Sequence, residues 1–282
     1  MRSKESVKLN THADGAHYDP RLIVSDLDGT LLGSDHRLHA DTIEVLRTLV
    51  NHGHQLVLAS GRHYADMRVF RDQLDLPIHL ISSNGAYTHD PDDQLLDANH
   101  VDPRQAAALI RLPRPDGVRL SLYMDDAWYI DAEMPSYLNM HAATGFAYQV
   151  VPPEKMPTEG IGKILYGGPP DALFKIETSI REISDGMLHV TYSTSDSLEI
   201  MAGGVNKGVA LSALLKRLSI APEDCLAFGD NLNDVEMLSL VGEPHFMLNS
   251  HPEMAGHLSA ARQIGHHGEA AVAVLLRERF GL

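Results

Sequence analysis

The sequence of 282 residues is poor in several features that mark particular classes of protein. It has a single cysteine, Cys225, so no disulfide can form within the chain, and we expect a reducing compartment, the cytoplasm. No apolar run approaches the ~18 residues of a membrane-spanning helix. The N-terminus lacks the apolar segment of a signal peptide. These absences argue against a disulfide-stabilised secreted protein and against a membrane protein.

Positive charge is also scarce. Lysine and arginine total 23 against 38 aspartate and glutamate residues, which gives a net charge of −15. A nucleic-acid-binding surface needs a basic stripe, so we expect no nucleic-acid partner. The hydrophobic fraction of 44% is ordinary and is sufficient for a sizeable core. Cys225 lies in such an apolar run, and we interpret it as a small buried side chain rather than a nucleophile.

The first part of the chain alternates between two patterns. Short apolar runs at residues 22–24, 55–59 and 78–81 are separated by segments whose apolar residues recur at helical spacing. This order predicts a β-α-β-α-β arrangement, and therefore a parallel sheet with right-handed crossovers. Each run ends in small polar residues, so we expect these polar ends to lie along one edge of the sheet.

From about residue 88 the strict alternation is lost, which predicts an inserted α+β domain with an antiparallel sheet. We expect its helices at residues 103–112 and 171–183. Its strands are predicted at residues 119–124, 128–130, 161–166, 187–192 and 197–201.

Alternation resumes at Asn206, where a helix is predicted to open. A strand at 225–228, a helix to about 241, strands at 245–248 and 262–264, and a helix at 269–280 follow. The fold class is therefore α/β, with a doubly wound parallel core at residues 21–87 and 203–282. Residues 88–202 form the inserted domain, or cap, and residues 1–20 are expected to be a flexible extension.

Two carboxylates follow the first predicted strand, at the end where open α/β sheets bind ligands. Asp26 and Asp28 are two residues apart, and placing both there costs desolvation and mutual repulsion. A hard divalent cation would offset that cost, since Mg²⁺ takes one or two carboxylates plus a substrate phosphate. The alternative is structural: an Asp that caps a helix beside an Asp-Gly turn.

Further polar residues stand at other strand ends or helix starts, and together they suggest phosphoryl transfer. That reaction needs an in-line nucleophile, neutralised phosphoryl oxygens and a proton for the leaving group. Asp26 suits the nucleophile, Asp28 the general acid and base, and Asp230 a further carboxylate on the cation.

Ser60 and Lys207 could hold the phosphoryl oxygens, and Asn233 or Asp234 could orient Lys207 or a metal-bound water. Each residue alone also has a structural explanation. Ser60 lies in a Ser-Gly turn, Lys207 could be a surface lysine, and the Asn233–Asp234 segment could cap a helix. Their joint occurrence at strand ends and helix starts favours the functional interpretation.

Four short motifs carry a family resemblance: DLDGTLL at 26–32, LASGR at 58–62, the lysine of VNKG at 205–208 and GDNLND at 229–234. Together they resemble the four motifs of the haloacid dehalogenase (HAD) superfamily. The sequence SSNGA at 82–86 and the position of the insertion resemble the Cof-type phosphatases of subfamily IIB. The resemblance covers nearly the whole chain after residue 20, and it implies a Rossmann-like HAD core with an α+β cap.

Carried over motif by motif, the resemblance implies Asp26 as nucleophile and Asp28 as acid/base, the latter being typical of phosphatases. It implies that Mg²⁺ is bound by Asp26, the backbone carbonyl of Asp28, and Asp230. The residues it implies for phosphate contact are Leu27 and Gly61 through their backbones, with Ser60, Lys207 and Asn233.

The cap segments 123–129, 145–149, 154–157 and 193–196 resemble Cof-type members that hydrolyse 4-amino-2-methyl-5-hydroxymethylpyrimidine diphosphate. That resemblance implies a small phosphorylated metabolite as substrate, with sugar phosphates and pyridoxal phosphate as alternatives. Trp128 could stack on a pyrimidine ring or pack within the cap. Two other classes stay open at this point: a phosphotransferase of the mutase kind, and a catalytically silent binding module.

Overall fold

The structure, a computed structural model, describes residues 20–142, 144–184 and 186–282. The flexible extension expected over residues 1–20 therefore lies outside the described residues, except for Pro20. Within the described ranges, every helix is too short or too polar to cross a membrane.

The secondary structure divides between two sheets and the helices that cover them. The strands are β1 (Leu22–Ser25), β2 (Gln55–Ala59), β3 (Ile78–Ser82), β4 (Tyr87–His89), β5 (Leu95–Ala98), β6 (Arg119–Tyr123), β7 (Trp128–Ile130), β8 (Gln149–Val150), β9 (Lys163–Gly167), β10 (Leu188–Thr194), β11 (Ser197–Ala202), β12 (Cys225–Gly229), β13 (Glu243–Phe246) and β14 (Arg262–Gln263). The helices are α1 (Ala40–Asn51), α2 (Tyr64–Leu74), α3 (Pro103–Ile110), α4 (Pro135–Met140), α5 (Pro170–Ser184), α6 (Lys207–Leu218), α7 (Val235–Leu240), α8 (Met254–His257) and α9 (Ala271–Phe280).

The core sheet has the order β14-β13-β12-β1-β2-β3-β4-β5, and the six strands from β14 to β3 are parallel. Its central strand β1 is buried along its whole length. Ile23 packs on one face with α1, α2 and α9, whereas Leu22 and Val24 pack on the other with α6, α7 and α8. Helices thus cover both faces, as continuously apolar parallel strands require. The doubly wound parallel core expected from the sequence is confirmed.

The cap sheet has the order β10-β11-β9-β6-β7-β8 and is antiparallel except for the β7–β8 pair. Alternate residues of its central strands, such as Leu122, Ile164 and Ile200, pack against α3 and α5. Because side chains alternate along a strand, the intervening residues lie on the opposite face. That face includes Lys163 and Glu199, and it is the face that contacts the core.

The antiparallel hairpin of β4 and β5 extends the core sheet beyond β3. The sequence places the start of the cap at residue 88, whereas this hairpin continues the core to Ala98, and the boundary is corrected accordingly. The two strands are short and are joined by an acidic turn at residues 90–93. Their sequence pattern of apolar and polar residues therefore does not differ from that of an irregular insertion. The short elements α4 and β8 are likewise absent from the sequence prediction.

The chain leaves the core after β5 and returns before α6, and these two connections lie side by side. A Cβ atom at Gly85 would lie 2.5 Å from the carbonyl oxygen of Asn206, and Gly85 has φ +99°, so only glycine fits there. A small apolar cluster surrounds the connections: Ala86, Tyr87, Met201 and Val205. Both connections therefore lie beside the segment that follows β3.

Candidate active site

The strand order brings the predicted strand-end residues to one edge of the core sheet. Asp230, Asp26 and Ser60 directly follow β12, β1 and β2, which are neighbours in the sheet, and Ser83 follows β3. Asp26 and Ser60 continue the sheet pattern, since their N–H groups donate to the carbonyls of Phe228 and Ile81 in the adjacent strands. The carboxyl edge of the sheet therefore holds the candidate site, as expected for an open α/β fold.

A buried lysine lies at the centre of this site. Lys207 Nζ is 2.6 Å from Asp26 Oδ1 and 2.7 Å from Asp234 Oδ1, and all three side chains are buried. Lys207 is the first residue of α6, whose N-cap Asn206 accepts a hydrogen bond from the Val209 N–H. This cap fixes the start of the helix, and thereby the direction in which Lys207 enters the site.

Both carboxylate oxygens of Asp234 accept hydrogen bonds from within the protein. Its Oδ1 accepts from Lys207, and its Oδ2 accepts from the backbone N–H groups of Asp230 and Asn231 at 2.9 and 3.0 Å. These contacts hold the loop after β12 in place and bring Asp230 toward Asp26. Asp234 thus contacts both Lys207 and the backbone of the loop after β12.

The electrostatics of the cluster are unbalanced. Burial, and after it the nearby carboxylates of Asp234 and Asp230, raise the pKa of Asp26, although Lys207 acts in the opposite direction. Burial and the Asp234 carboxylate raise the pKa of Asp230 to about 6, while a hydrogen bond from Thr30 lowers it. Burial also lowers the pKa of Lys207, but the two carboxylates outweigh burial and raise it above its usual value.

The same imbalance fits a divalent cation. Carboxylate oxygens of Asp26, Asp230 and Asp234 lie within 4.8 Å of one another, and one ammonium group faces them, which leaves a formal excess of two negative charges when all three carboxyl groups are ionised. Asp230 lies tightly against the first turn, since a Cβ atom on Gly29 would be 2.4 Å from its Oδ2. Hard oxygen ligands of this kind suit Mg²⁺ or Ca²⁺. Asp26 and Asp230 are the residues that could hold such an ion.

The carboxylate of Asp28 is not part of this acidic cluster. It accepts two hydrogen bonds from Arg62, with Nε–Oδ2 and Nη2–Oδ1 distances of 2.6 Å, and His36 Nδ1 is 3.5 Å away. Burial opposes ionisation, yet the Arg62 hydrogen bonds prevail and lower the pKa of Asp28. A general acid must carry a proton, so Asp28 must leave Arg62 before it can protonate a leaving group.

The remaining predicted phosphate-binding residues surround the cluster. Ser60 is buried, and its Oγ accepts from the Arg62 N–H at 3.2 Å. Leu27 opens the turn after Asp26, and its side chain is buried in the core. Asn233 lies in the loop before α7, where its Nδ2 donates to Asn84 Oδ1 at 2.9 Å.

Three residues that lie in or against this part of the site were not predicted from the sequence. Asn84 lies between Gly61 and Asn233, and the cap residues Lys163 and Glu199 reach Gly61 and Asn84. A signal was available: Lys163 and Glu199 are charged residues inside otherwise apolar strands. Such residues are rarely buried unless they are paired. Arg62, the partner of Asp28, lies inside the LASGR motif, but no function was predicted for it from the sequence.

The model of the haloacid dehalogenase-like hydrolase family matches residues 23–276. The chain belongs to the haloacid dehalogenase-like hydrolase family. Within this family, the chain is 36% identical over 253 residues to the HMP-PP phosphatase of Cronobacter sakazakii, covering 90% of this chain and 93% of that protein. The resemblance to HAD phosphatases is thereby confirmed, and with it the expectation of a phosphatase enzyme.

Solved structures of HAD proteins share the fold. A haloacid dehalogenase-like hydrolase from B. subtilis superimposes with a TM-score of 0.81 at 24% identity, covering 91% of this chain and 99% of that one. A HAD subclass IIB sugar phosphatase superimposes with a TM-score of 0.79 at 17% identity, covering 93% and 99%. Since both superpositions extend over nearly the whole length, the neighbours confirm the core and the inserted cap together.

Proposed function

We propose that this HAD enzyme is a Mg²⁺-dependent phosphatase that hydrolyses a small phosphorylated metabolite through an aspartyl-phosphate on Asp26. The observation that carries the proposal is the contact of Asp26 with Lys207 at 2.6 Å, beside Asp230 at the carboxyl edge of the sheet. Lys207 opposes protonation of the buried Asp26 carboxylate and orients it, as a nucleophile requires. The net negative charge of the cluster supports a divalent cation as cofactor.

In the first step, an Asp26 oxygen attacks phosphorus, and the bond from phosphorus to the leaving oxygen breaks. Asp28, released from Arg62 and protonated, gives its proton to that oxygen. In the second step, Asp28 takes a proton from a water molecule whose oxygen attacks phosphorus. The bond between phosphorus and the Asp26 oxygen breaks, which regenerates the Asp26 carboxylate and releases inorganic phosphate. Lys207 and Ser60 face the charge that develops on the phosphoryl oxygens. A bound Mg²⁺ would supply further charge neutralisation on these oxygens.

For the substrate, we propose 4-amino-2-methyl-5-hydroxymethylpyrimidine diphosphate, with a sugar phosphate or pyridoxal phosphate as alternatives. The relatives support these classes, since one is an HMP-PP phosphatase and another a sugar phosphatase. Trp128 is not the surface on which a pyrimidine would stack, because it is 1% exposed and packs between Tyr123 and Tyr148. A cytoplasmic location belongs to the same proposal, supported by the buried Cys225 with no disulfide.

The test is phosphate release by the purified protein with Mg²⁺, measured across pyrimidine, sugar and pyridoxal phosphates and compared as kcat/KM. We expect one class to exceed the others. A phosphotransferase would keep the phosphate on an organic product, and a binding module would release none. Either result would overturn the proposal.

The metal is tested in the same assay by removing it. Excess chelator should abolish phosphate release, and added Mg²⁺ should restore it, because Asp26 and Asp230 otherwise repel the phosphate dianion. Turnover that persists in excess chelator would remove the cation from the mechanism.

A further inference from the structure

The buried ion pair of the cap, Lys163 with Glu199, lies at the boundary with the core. Lys163 Nζ is 2.9 Å from Glu199 Oε1, and the two residues are 5% and 4% exposed. A buried ion pair contributes little net stability, because desolvation of both charges offsets their attraction. The other contacts of the two side chains indicate what the pair does instead.

Each member of the pair also contacts the core. Lys163 Nζ donates to the carbonyl oxygen of Gly61 at 2.9 Å, and Glu199 Oε2 accepts from Asn84 Nδ2 at 2.8 Å. Gly61 and Asn84 lie at the ends of β2 and β3, beside the candidate phosphate site. The ion pair therefore bridges the cap and the two strand ends that border this site.

The cap sheet holds both side chains in fixed directions. Lys163 pairs with Tyr123 across β6 and β9, and its ammonium lies 4.9 Å from the centre of the Tyr123 ring. Glu199 pairs with Leu165, so it is the diagonal neighbour of Lys163 on the same face of the sheet. The pair is therefore fixed relative to the cap sheet, because both residues lie in strands and not in loops.

Asn84 connects Glu199 of the cap to Asn233 of the candidate active site through hydrogen bonds. A carboxylate only accepts hydrogen bonds, so Glu199 fixes the Asn84 amide with its Nδ2 toward the cap. Asn84 Oδ1 then faces the other way and accepts from Asn233 Nδ2 at 2.9 Å. The backbone assists, since Asn84 adopts a left-handed conformation with φ +57° and its N–H donates to the carbonyl oxygen of Ser60.

We propose that Lys163 and Glu199 are positioning residues for the hydrolysis, which align the phosphate-binding residues Gly61 and Asn233 when the cap is closed. The hydrogen bonds that produce this alignment connect Glu199 through Asn84 to Asn233, and Lys163 to the Gly61 carbonyl. This inference rests on the proposed function. It adds that the cap acts on the chemical step through the core, in addition to any contact it makes with substrate.

The experiment is a double-mutant cycle on Glu199→Ala and Asn84→Ala, with acetyl phosphate as substrate and saturating Mg²⁺. Acetate is a small leaving group, so loss of cap contacts to a larger substrate does not enter the result. Each single variant should lower kcat by about 10- to 100-fold, with KM changed less than about threefold, because misalignment acts on the chemical step. The double variant should be no slower than the slower single variant.

Asp131→Asn is the matched control. Asp131 pairs with Arg114 at 3.0 Å, in an ion pair that is also largely buried but lies within the cap, and the variant should keep kcat within about twofold. If Glu199→Ala fails to fold, Lys163→Met with Glu199→Leu replaces the pair by apolar side chains of similar size that offer Asn84 no acceptor, and this variant should show the same fall in kcat.

The proposal is overturned if the losses of the two single variants multiply in the double variant, or if folded variants keep the kcat of the unmodified enzyme. Failure of the proposed function would look different, since the unmodified enzyme would then release no phosphate at all. Thermal unfolding of each variant completes the test, because a purely structural role would lower the melting temperature and leave kcat unchanged.

Discussion

In the core sheet, the site side chains directly follow the last residues of parallel strands. In the cap sheet, Lys163 and Glu199 lie within or at the start of antiparallel strands, on the face that contacts the core. The core thus presents its polar groups from the ends of strands and the starts of helices. Backbone groups at these positions that are not paired within the sheet or helix can also contact a ligand. The cap presents its polar groups from a rigid sheet face. The first arrangement suits chemistry on a phosphate, and the second suits alignment.

The sharpest way to test the role of the core is to remove its nucleophile. Asp26→Asn should lower phosphate release by at least about 10⁴-fold, since the amide cannot form the aspartyl-phosphate. The fold should persist, because the change removes one negative charge from a cluster with an excess of them and Lys207 keeps Asp234 as a partner. Phosphate release and circular dichroism check the two halves of this prediction, and undiminished turnover would refute the assignment of Asp26.

The next largest effect concerns stability. Lys207→Ala leaves Asp26 and Asp234 buried without their cation, at a cost of about 3–5 kcal/mol in the free energy of unfolding. Without Lys207 the pKa of Asp26 rises further above its unfolded value, so the folded state takes up protons more readily. The loss of stability should therefore shrink as the pH falls. Denaturant unfolding at several pH values tests this, and an equal loss at every pH would contradict it.

A smaller effect should distinguish the protonated state of Asp28 from the ionised state. Arg62 lowers the pKa of Asp28, so Arg62→Ala should raise it and keep the general acid protonated to higher pH. The basic limb of the kcat/KM profile should then move to higher pH, and kcat/KM at neutral pH should not show the about 10²-fold loss expected for removal of a general acid. A basic limb that stays in place would separate Arg62 from the acid function.

The smallest effect is expected inside the cap. Trp128 is buried, and its indole N–H has no hydrogen-bond partner in the described part of the chain. Trp128→Phe should therefore cost only about 1 kcal/mol, less than the about 3–5 kcal/mol of a truncation to alanine. The kcat/KM should change less than about threefold. A loss above tenfold without loss of stability would instead place Trp128 against the substrate.

The same contrast between the sheets explains what could be read from the sequence. Strand-end residues such as Asp26 and Asp230 follow apolar runs, so the pattern alone predicts that they meet at one edge of the parallel sheet. Lys163 and Glu199 meet only through the register of β9 and β11, which depends on pairing between strands more than thirty residues apart in sequence. The Arg62–Asp28 pair could not be predicted either. The two residues lie in loops, and the conformation of a loop does not follow from the spacing of residues in the sequence.

The two connections between core and cap share one apolar cluster, formed by Ala86, Tyr87, Met201 and Val205. Asn84 lies two residues before Ala86 in the sequence, so the connections begin beside the residues that Asn84 contacts. Any displacement of the cap at these connections would therefore reach Asn84, and through it Glu199 and Asn233, before it reached the acidic cluster.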